Sequence, residues 1–474
     1  MTRGMFVWVT SVKRVAHSVV GMTPQTPREI AAARVLLAGG FEPATVVIRD
    51  GVIAGLGAFD PGAAVVLPED AVLLPGLVDS HVHLDEPGRT EWEGFATGTA
   101  AAAAGGVTTL LDMPLNSVPV TTSPEALDAK RTAARGKLAV DVGFWGGAVP
   151  GNLGRLAELA RAGVVGFKCF LSPSGIDEFG HLDAAQLERA LAELAAFDGL
   201  LIVHAEDPAH LHADGPLGRR FGDFVASRPP ESERAAIRSV IEAARRTGAR
   251  AHIVHVADGG ALDDIRAARA DGVRLTVETC PHYLTLTADA VPDGAVAFKC
   301  CPPIRDAANQ DLLWEGVLDG TIDAIVSDHS PSTPAMKERG DGDFGLAWGG
   351  IAGVQTGLPA VWTRARERGV ALEAILPLLT TGPARIGGLE GLGVVAPGAP
   401  AHLVVFRPDA ETVVDAEALE YRHPMSPWDG RTLAGVVEAT YLRGRAVFRR
   451  GEPVVLREGR ELLASADLVE EGTR

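Results

Sequence analysis

The chain has 474 residues, of which 46% are hydrophobic and 22% are charged, so it can bury a large core and is not globally disordered. Its formal net charge of −17 predicts an acidic surface that binds neither nucleic acid nor anionic membranes. No apolar run reaches the ~20 residues that a membrane span needs. Four cysteines without a CxxC pair favour a reducing compartment, and we expect a cytoplasmic location.

The two ends of the chain differ from its middle. The apolar stretch within residues 1–21 is too short for a signal-peptide core, so we predict a disordered or dispensable extension there. Residues 22–73 include "ATVVIRDGVIAGLG", in which two β-rich pieces flank Asp50 and Gly51, a hairpin signal. Residues 388–460 again read as short strands with Gly and Pro turns. We predict one small β-rich domain assembled from 22–73 and 388–460, followed by a C-terminal tail over 461–474.

Between these ends, residues 74–387 alternate short apolar runs with Ala-rich, charged segments of helical length. Runs such as "GLLIVHAED" and "RAHIVHVAD" are separated by segments such as "ERAAIRSVIEAARRTG". This alternation is typical of βα units around a parallel sheet. About eight such units over roughly 310 residues predict a (β/α)8 barrel. The predicted fold class is therefore α/β, a TIM-type barrel with a small β-rich domain built from both terminal segments.

The functional side chains of such a barrel lie at the carboxyl ends of its strands. A single His or Asp at a strand end is usually just a hydrogen-bonded core residue. A His-x-His pair is more specific, because alternate strand residues face the same way and both rings can reach one ion. Here five predicted strands end in residues that can bind metal or be modified to do so, and we interpret them together as a metal centre: His81, His83, Lys168, His204, His255 and Asp328.

Lys168 allows two interpretations. An ammonium group repels metal ions, so an unmodified Lys168 would be an ordinary salt-bridged lysine. A buried lysine with a depressed pKa can instead add carbon dioxide through its neutral amine. The two oxygens of the resulting carbamate could bridge two metal ions. The chemistry of the residue alone leaves both interpretations open.

Other histidines serve as a comparison for these candidates. His402 and His423 stand in polar or turn contexts, and we predict that both lie at the surface. His252 precedes the apolar pair of its strand and is predicted to be structural. His282 and His329 lie near the expected site and are candidates for residues that orient metal ligands.

The six residues stand in the motifs "HVHLDEPGRTEWEGF", "GFKCFLSPSG" and "SDHSP" and in the strand-end runs, and further motifs are "GGVTTLLDMPLN", "TVETCPHYL" and "KCCPPIRD". Together these motifs resemble the amidohydrolase superfamily, in its cyclic-amidase branch of dihydroorotases, hydantoinases and allantoinases. The resemblance covers residues 22–453 and implies hydrolysis of a cyclic amide in a barrel of the predicted kind. Within that family the motifs are most similar to the allantoinases, so the expected reaction opens the hydantoin ring of allantoin to give allantoate.

The resemblance also implies a cofactor and an assembly. Two divalent metal ions are expected, bridged by N6-carboxylysine at Lys168. Asp328 would bind the first ion and act as the catalytic general base and then acid. Zn2+ is the expected metal, although Co2+, Mn2+ or Fe2+ would also suit nitrogen and oxygen ligands. Relatives are commonly tetramers, so we expect a homotetramer. The first ion would be held by His81 and His83, and the second by His204 and His255.

Two positions separate the branches of the family. Dihydroorotases carry Arg two residues after His-x-His, where this chain has Asp85 and allantoinases usually have Asn. Hydantoinases carry Tyr five residues after the modified lysine, where this chain has Pro173. The alternative to an allantoinase is a hydantoinase or dihydropyrimidinase-like enzyme with a different ring substrate. A non-catalytic scaffold relative is disfavoured because all six ligands are present. Substrate contacts are expected from Asn116, Cys301, Trp348 and Gly349.

Overall fold

The structure is a computed structural model that describes residues 28–212 and 215–463. The predicted extension over 1–21 lies outside the described residues, as do residues 464–474 of the predicted tail. The domain bounds given above stay a prediction.

The strands alternate with helices through the middle of the chain and follow one another directly at its two ends. In chain order the strands are β1 (Glu29–Leu37), β2 (Gly40–Arg49), β3 (Val52–Gly57), β4 (Val65–Val66), β5 (Val72–Pro75), β6 (Leu77–Val82), β7 (Val107–Asp112), β8 (Asp141–Phe144), β9 (Gly146–Gly147), β10 (Phe167–Phe170), β11 (Leu200–His204), β12 (Arg250–Ile253), β13 (Leu275–Thr279), β14 (Ala324–Ile325), β15 (Leu403–Val413), β16 (Thr432–Leu442) and β17 (Arg445–Arg449).

The helices lie between the strands of the middle region and after the last of them. In chain order they are α1 (Phe95–Ala104), α2 (Pro124–Ala134), α3 (Leu156–Arg161), α4 (Ala184–Ala195), α5 (Phe221–Ser227), α6 (Pro230–Thr247), α7 (Leu262–Ala270), α8 (Pro281–Thr285), α9 (Ala307–Leu318), α10 (Pro334–Lys337), α11 (Gly357–Glu367), α12 (Leu372–Leu379) and α13 (Thr381–Ile386).

The middle region is a closed parallel barrel. β6, β7 and β8 pair in parallel, and β9 to β14 pair in parallel in chain order. β8 and β9 flank Trp145, whose N–H donates to the Asp112 carbonyl of β7. A parallel bridge between Val82 and His329 joins the last strand region to the first. The predicted α/β fold class, a TIM-type barrel with a small terminal β-rich part, is confirmed.

Barrel strands are largely buried because helices cover one face and the barrel interior covers the other. Every residue of β11 is buried, as is every residue of β6 and β7. Helix α6, which connects β11 to β12, begins at Pro230, where a missing N–H has no cost. It ends before Gly248, whose φ of 70° provides the left-handed turn that stops a helix. Its buried stripe includes Ile237 and Val240 and packs against the sheet.

A second, eight-stranded sheet contains strands from both ends of the chain. Its order is β17-β16-β15-β5-β1-β2-β3, with β4 paired to β1. The antiparallel pair of β5 and β15 joins the two ends, with Leu74 opposite Val404. A separate hydrophobic cluster that includes Ile30, Val46 and Tyr441 fills this sheet's core. The sheet therefore fixes the first barrel strand, β6, which follows β5 after a single residue.

The chain after β17 returns to the barrel. The N–H of Val142 in β8 donates to the Arg460 carbonyl, and the N–H of Leu462 donates to the Val142 carbonyl. Residues 460–462 thus pair with the start of β8, away from the carboxyl ends of the strands.

The prediction for His402 is wrong. Its side chain is buried, with Nε2 3.8 Å from an oxygen of Asp141. His402 lies directly before β15, and its carbonyl accepts the N–H of Gly76 between the two sheets. The polar local sequence misled the prediction because the burial comes from a strand more than 300 residues away, as the pairing of β15 with β5 requires.

No helix within the described ranges is long and apolar enough to cross a bilayer.

Candidate metal centre

All six predicted ligands lie together at the carboxyl ends of the barrel strands. They line one cavity of about 370 Å3 that opens at this face of the barrel. The cavity wall also contains the four residues predicted to contact substrate. The ten residues are His81, His83, Lys168, His204, His255 and Asp328, with Asn116, Cys301, Trp348 and Gly349.

The first half of the candidate centre consists of His81, His83 and Asp328. One oxygen of Asp328 lies 3.2 Å from Nε2 of His81 and 3.6 Å from Nε2 of His83. Nδ1 of His81 lies 2.6 Å from Oε1 of Glu278, and the other oxygen of Glu278 lies 3.1 Å from His252. A buried carboxylate behind a histidine fixes the ring and leaves its other nitrogen facing the site.

The second half consists of His204 and His255. Nδ1 of His204 lies 2.9 Å from Nε2 of His255. Nε2 of His204 lies 2.8 Å from Glu206, which also accepts a hydrogen bond of 2.5 Å from Arg228. The two imidazoles therefore converge on one point, and a carboxylate again holds the outer nitrogen of the ring.

Lys168 lies between the two halves in the barrel interior. It is 1% exposed, and its Nζ lies 5.1 Å from the centroid of the Phe170 ring. Burial is the largest cause that lowers the pKa of Lys168 to about 8, although Asp328 and Glu278 oppose the shift. No ion pair to Lys168 is found among the described residues, so the salt-bridge interpretation has no partner there.

The charges at the site fit a pair of cations. Burial lowers the pKa of His204, and burial together with His204 lowers the pKa of His255 well below its usual value. Burial alone would raise the pKa of Asp328, but the neighbouring His81 and His83 outweigh it and hold that pKa far below its usual value. Imidazoles and a carboxylate that converge on one cavity are a donor set that divalent transition metals bind, with release of any protons that the donors carry.

Two of the ligands have unusual backbone conformations. His255 has φ of 40° and Asp328 has φ of 44°, both in the left-handed region that side chains with a Cβ rarely adopt. Each follows the end of its strand, so the left-handed turn directs the side chain across the barrel mouth. Such strain is typical of functional positions and persists because the surrounding structure imposes it.

The predicted substrate residues lie on the wall of the cavity. Asn116 lies with Nδ2 3.4 Å from Nδ1 of His83, so it also contacts a proposed ligand. Trp348 packs edge-on against Trp92, with ring centroids 5.2 Å apart. The Lys299 ammonium donates to the Ala347 carbonyl at 2.5 Å and so fixes the chain next to Trp348.

Asp85 does not line the cavity. It is fully buried, and its oxygens have no hydrogen-bond partner within 3.5 Å among the described residues. Burial raises the pKa of Asp85 well above its usual value, and the nearby Asn116 amide only partly offsets this. Asp85, at the position where the allantoinases usually have Asn, is therefore buried near Asn116 and outside the lining of the cavity.

Sequence reasoning missed the residues that hold the histidines from behind. Glu278 lies inside the run "RLTVETC", whereas the predicted ligands are polar residues that follow an apolar run. Glu206 is two residues beyond His204 in "HAED". The available signal is only that Glu206 is a carboxylate close in sequence to His204, since it lies beyond the end of β11. Arg228 comes from the segment after α5, and nothing in its local sequence links it to the site.

Comparisons with known proteins agree with this geometry. The sequence pattern of the Amidohydrolase family matches residues 72–447. The chain belongs to the amidohydrolase family. It is 52% identical over 426 residues to an allantoinase of Streptomyces avermitilis, which covers 89% of this chain and 95% of that relative. It is 45% identical over 389 residues to an allantoinase of Saccharomyces cerevisiae, covering 81% of this chain and 84% of that relative.

A solved structure shares the whole architecture. The L-hydantoinase (dihydropyrimidinase) from Arthrobacter aurescens superposes on this amidohydrolase with a TM-score of 0.85 at 29% identity, covering 92% of this chain and 99% of that chain. The family and this neighbour imply a binuclear divalent metal centre, and the donor set described above fits one. The predicted family and the predicted enzyme class, a hydrolase, are confirmed.

Proposed function

We propose that this chain is a metal-dependent allantoinase that hydrolyses one ring amide of allantoin and releases allantoate. One observation carries the proposal. Six residues from five strands of a barrel converge on a single cavity, and the sequence around them is 52% identical to that of an allantoinase. The barrel rim supplies the chemistry, and the similarity supplies the substrate.

The ligands of the two ions follow from the two halves of the centre. His81, His83 and Asp328 hold the first ion, and His204 and His255 hold the second. Zinc is the proposed metal because nitrogen and oxygen donors in compact geometry suit it. The bound ions polarise the ring carbonyl and increase the acidity of water at the site. Glu278 and Glu206 keep the rings oriented from behind.

Lys168, as N6-carboxylysine, would supply carboxylate oxygens to the bound ions. Its amine is buried and has a pKa of about 8, so a useful fraction is neutral and can add carbon dioxide with loss of one proton. The modification replaces a buried cation, for which the described residues offer no ion pair, by an anion. Bound divalent cations would stabilise that anion, so modification and metal binding would support each other.

Asp328 moves the proton. Its carboxylate is ionised at neutral pH and lies at the mouth of the barrel beside His81 and His83. It accepts a proton from the water whose oxygen adds to the ring carbonyl carbon. It then gives that proton to the ring nitrogen as the carbon–nitrogen bond breaks, because an amide nitrogen leaves poorly unless it is protonated. The products are the carboxylate and the freed ureido group of allantoate.

The wall of the cavity favours a small, polar ring. The cavity contains backbone groups of Trp348 and Gly349, the Asn116 amide and the Cys301 thiol. A ureido group offers both donors and acceptors that such groups can meet. The position of the dihydroorotase arginine holds the buried Asp85, so a substrate carboxylate has no cation there.

The proposal is tested by the product formed from allantoin. Enzyme loaded with zinc is incubated with allantoin, hydantoin or dihydroorotate in parallel, and the products are identified by NMR. We expect allantoate as the main product and the highest kcat/KM on allantoin, with metal-loaded Asp328→Asn as the inactive control. Negligible turnover of allantoin beside rapid opening of another ring would refute the assignment.

A hydantoinase with another ring substrate is the second candidate, because a solved structure that aligns over 92% of this chain is an L-hydantoinase. Pro173 stands where hydantoinases carry a tyrosine, and this difference argues for allantoin. The same product assay separates the two.

We also propose that the enzyme is a homotetramer in a reducing cytoplasm. The tetramer follows from the resemblance. All four cysteines are free, which agrees with a reducing compartment. Light scattering of the purified enzyme measures the subunit count, and a monomeric mass would contradict the tetramer.

A further inference from the structure

The end of β13 supplies metal-binding groups that the proposed mechanism does not use. Cys280 directly follows this strand, and His282 lies in the short helix α8 that comes next. The Cys280 sulfur, a ring nitrogen of His282 and a carboxylate oxygen of Asp328 all lie within 4.8 Å of one another. Cys280 and His282 are 0% exposed and Asp328 is 7% exposed. β13 lies next to β14 in the barrel, which brings the three side chains together.

His282 is the independent sign that something belongs there. Neither of its ring nitrogens has a hydrogen-bond partner among the described residues, although the side chain is fully buried. Leaving a buried polar group unsatisfied costs about 1–3 kcal/mol, so such a ring calls for a partner. The ring is held by an edge contact with Tyr283, with centroids 4.2 Å apart, and Tyr283 is anchored by a hydrogen bond to the Pro302 carbonyl. The His282 ring is therefore held close to the Cys280 thiol and the Asp328 carboxylate.

Cys280 differs from two other cysteines of the chain, Cys300 and Cys301, in the surroundings of its thiol. Cys300 is also buried, but its Sγ donates to the Pro302 carbonyl at 3.3 Å. Cys301 lines the main cavity and is only partly buried. Cys280 is thus the thiol that combines with an unsatisfied imidazole and a carboxylate.

We propose that Cys280, His282 and Asp328 form a third cation site, which shares Asp328 with the two-ion centre and binds a thiophilic divalent cation such as Zn2+. Sulfur, nitrogen and oxygen donors in one set select zinc-class ions over Mg2+ or Ca2+. The thiol gives up its proton to solvent as the metal–sulfur bond forms. Asp328 belongs to both sites, so an ion bound here withdraws the carboxylate that transfers the proton. This inhibitory consequence rests on the proposed function, whereas the binding itself does not.

Cobalt spectroscopy tests the binding. The two-ion centre contains only nitrogen and oxygen donors, so its Co2+ form has no thiolate-to-cobalt charge-transfer band. We expect that band to grow in the near ultraviolet when a third equivalent of Co2+ is added to the wild-type enzyme. It should be lost in Cys280→Ser and kept in Cys300→Ser, the matched control. A band that survives in Cys280→Ser, or that is absent from the wild type, would overturn the site.

X-ray absorption covers the case in which Cys280→Ser does not fold. Zinc-edge spectra of the wild-type enzyme at three equivalents should contain a sulfur neighbour at about 2.3 Å, the usual Zn–S distance. Spectra with only nitrogen and oxygen neighbours would refute the proposal without any variant. Both spectra are independent of whether allantoin is the substrate.

Inhibition tests the consequence. Excess Zn2+ added to enzyme that already holds two ions should lower kcat on the order of tenfold or more, because proton transfer by a placed carboxylate contributes at least that much. Cys280→Ser should resist, and Cys300→Ser should be inhibited like the wild type. Equal inhibition of Cys280→Ser would show that excess zinc acts elsewhere. A protein that shows the cobalt band but opens no ring would leave the site standing and refute the proposed function.

Discussion

The two halves of the candidate centre differ in what holds their histidines. In the first half, Glu278 lies behind His81, and its second oxygen pairs with the fully buried His252. In the second half, Glu206 lies behind His204 and forms an ion pair with Arg228. The Arg228 side chain is 22% exposed and lines the cavity. One half is thus built into the barrel interior, and the other is connected to the substrate cavity.

The difference also appears in what stabilises each carboxylate. Burial would raise the pKa of Glu278, but His81 and His252 outweigh it and hold the pKa at about 2. Burial would likewise raise the pKa of Glu206, and here Arg228 is the main group that lowers it to about 2. Glu278 therefore depends on two histidines of the barrel, whereas Glu206 depends on a guanidinium at the cavity wall. We infer that the first half is the rigid one and that changes at the cavity wall reach the second.

Lys168→Ala should have the largest effect, because the proposed carbamate at Lys168 would join both halves. We expect loss of most bound metal and a fall in kcat of about 10⁴-fold or more, since water activation is lost with the ions. Metal content by mass spectrometry and kcat on allantoin measure the two losses. A short-chain carboxylic acid should partly restore both by taking the place of the carbamate. Full activity in Lys168→Ala without any added acid would rule out the bridging role.

Asp328→Asn should separate proton transfer from metal binding. The amide keeps an oxygen donor near His81 and His83 but cannot accept a proton. We expect kcat to fall by about 10²- to 10⁴-fold, while metal content falls much less. If turnover and metal content fall together, Asp328 acts mainly as a ligand.

The six candidate ligands stand out in the sequence because of how a barrel strand is built. A strand covered on both faces is mostly apolar, so a polar residue directly after an apolar run stands out, as Lys168 does after "VVGF" and His204 after "LLIV". In the structure His204 ends β11, whereas Lys168 lies within β10. The βα alternation is visible for the same reason, and it identified the fold class. The supporting residues are less visible because they lie within or beyond the run, as Glu278 and Glu206 do.

Long-range pairing and backbone strain could not be predicted. The position of His402 depends on β15 pairing with β5, two strands more than 300 residues apart. The left-handed conformations of His255 and Asp328 leave no mark in the sequence, because both residue types also occur in ordinary conformations. The partnership of Arg228 with Glu206 is likewise tertiary, since it joins segments on either side of α5. Local patterns specify elements and their ends, and the packed chain decides what lies behind them.

Glu278→Gln and Glu206→Gln compare the first half of the centre, which we infer to be rigid, with the second half, which reaches the cavity wall. Each variant loses the charge that orients a ligand ring, and we expect metal affinity to fall by about 10- to 100-fold in each. Glu278→Gln should also lower the thermal unfolding temperature of the metal-free protein more, because a buried pair with two histidines is broken, at a cost of about 3 kcal/mol. Metal titration and calorimetry give both quantities. Equal thermal shifts in the two variants would remove the distinction between the halves.

Arg228→Lys should have the smallest effect and should identify the half that it acts through. Lysine keeps the charge beside Glu206 but cannot reproduce the planar geometry of a guanidinium, so His204 should be held less well. We expect metal affinity to fall by less than about tenfold. The loss should be confined to the second ion, the one assigned to His204 and His255. Competition with a chelator, followed ion by ion, measures this loss. Because Arg228 pairs with Glu206 of the second half, loss of both ions to the same extent would mean that the two halves respond as one unit.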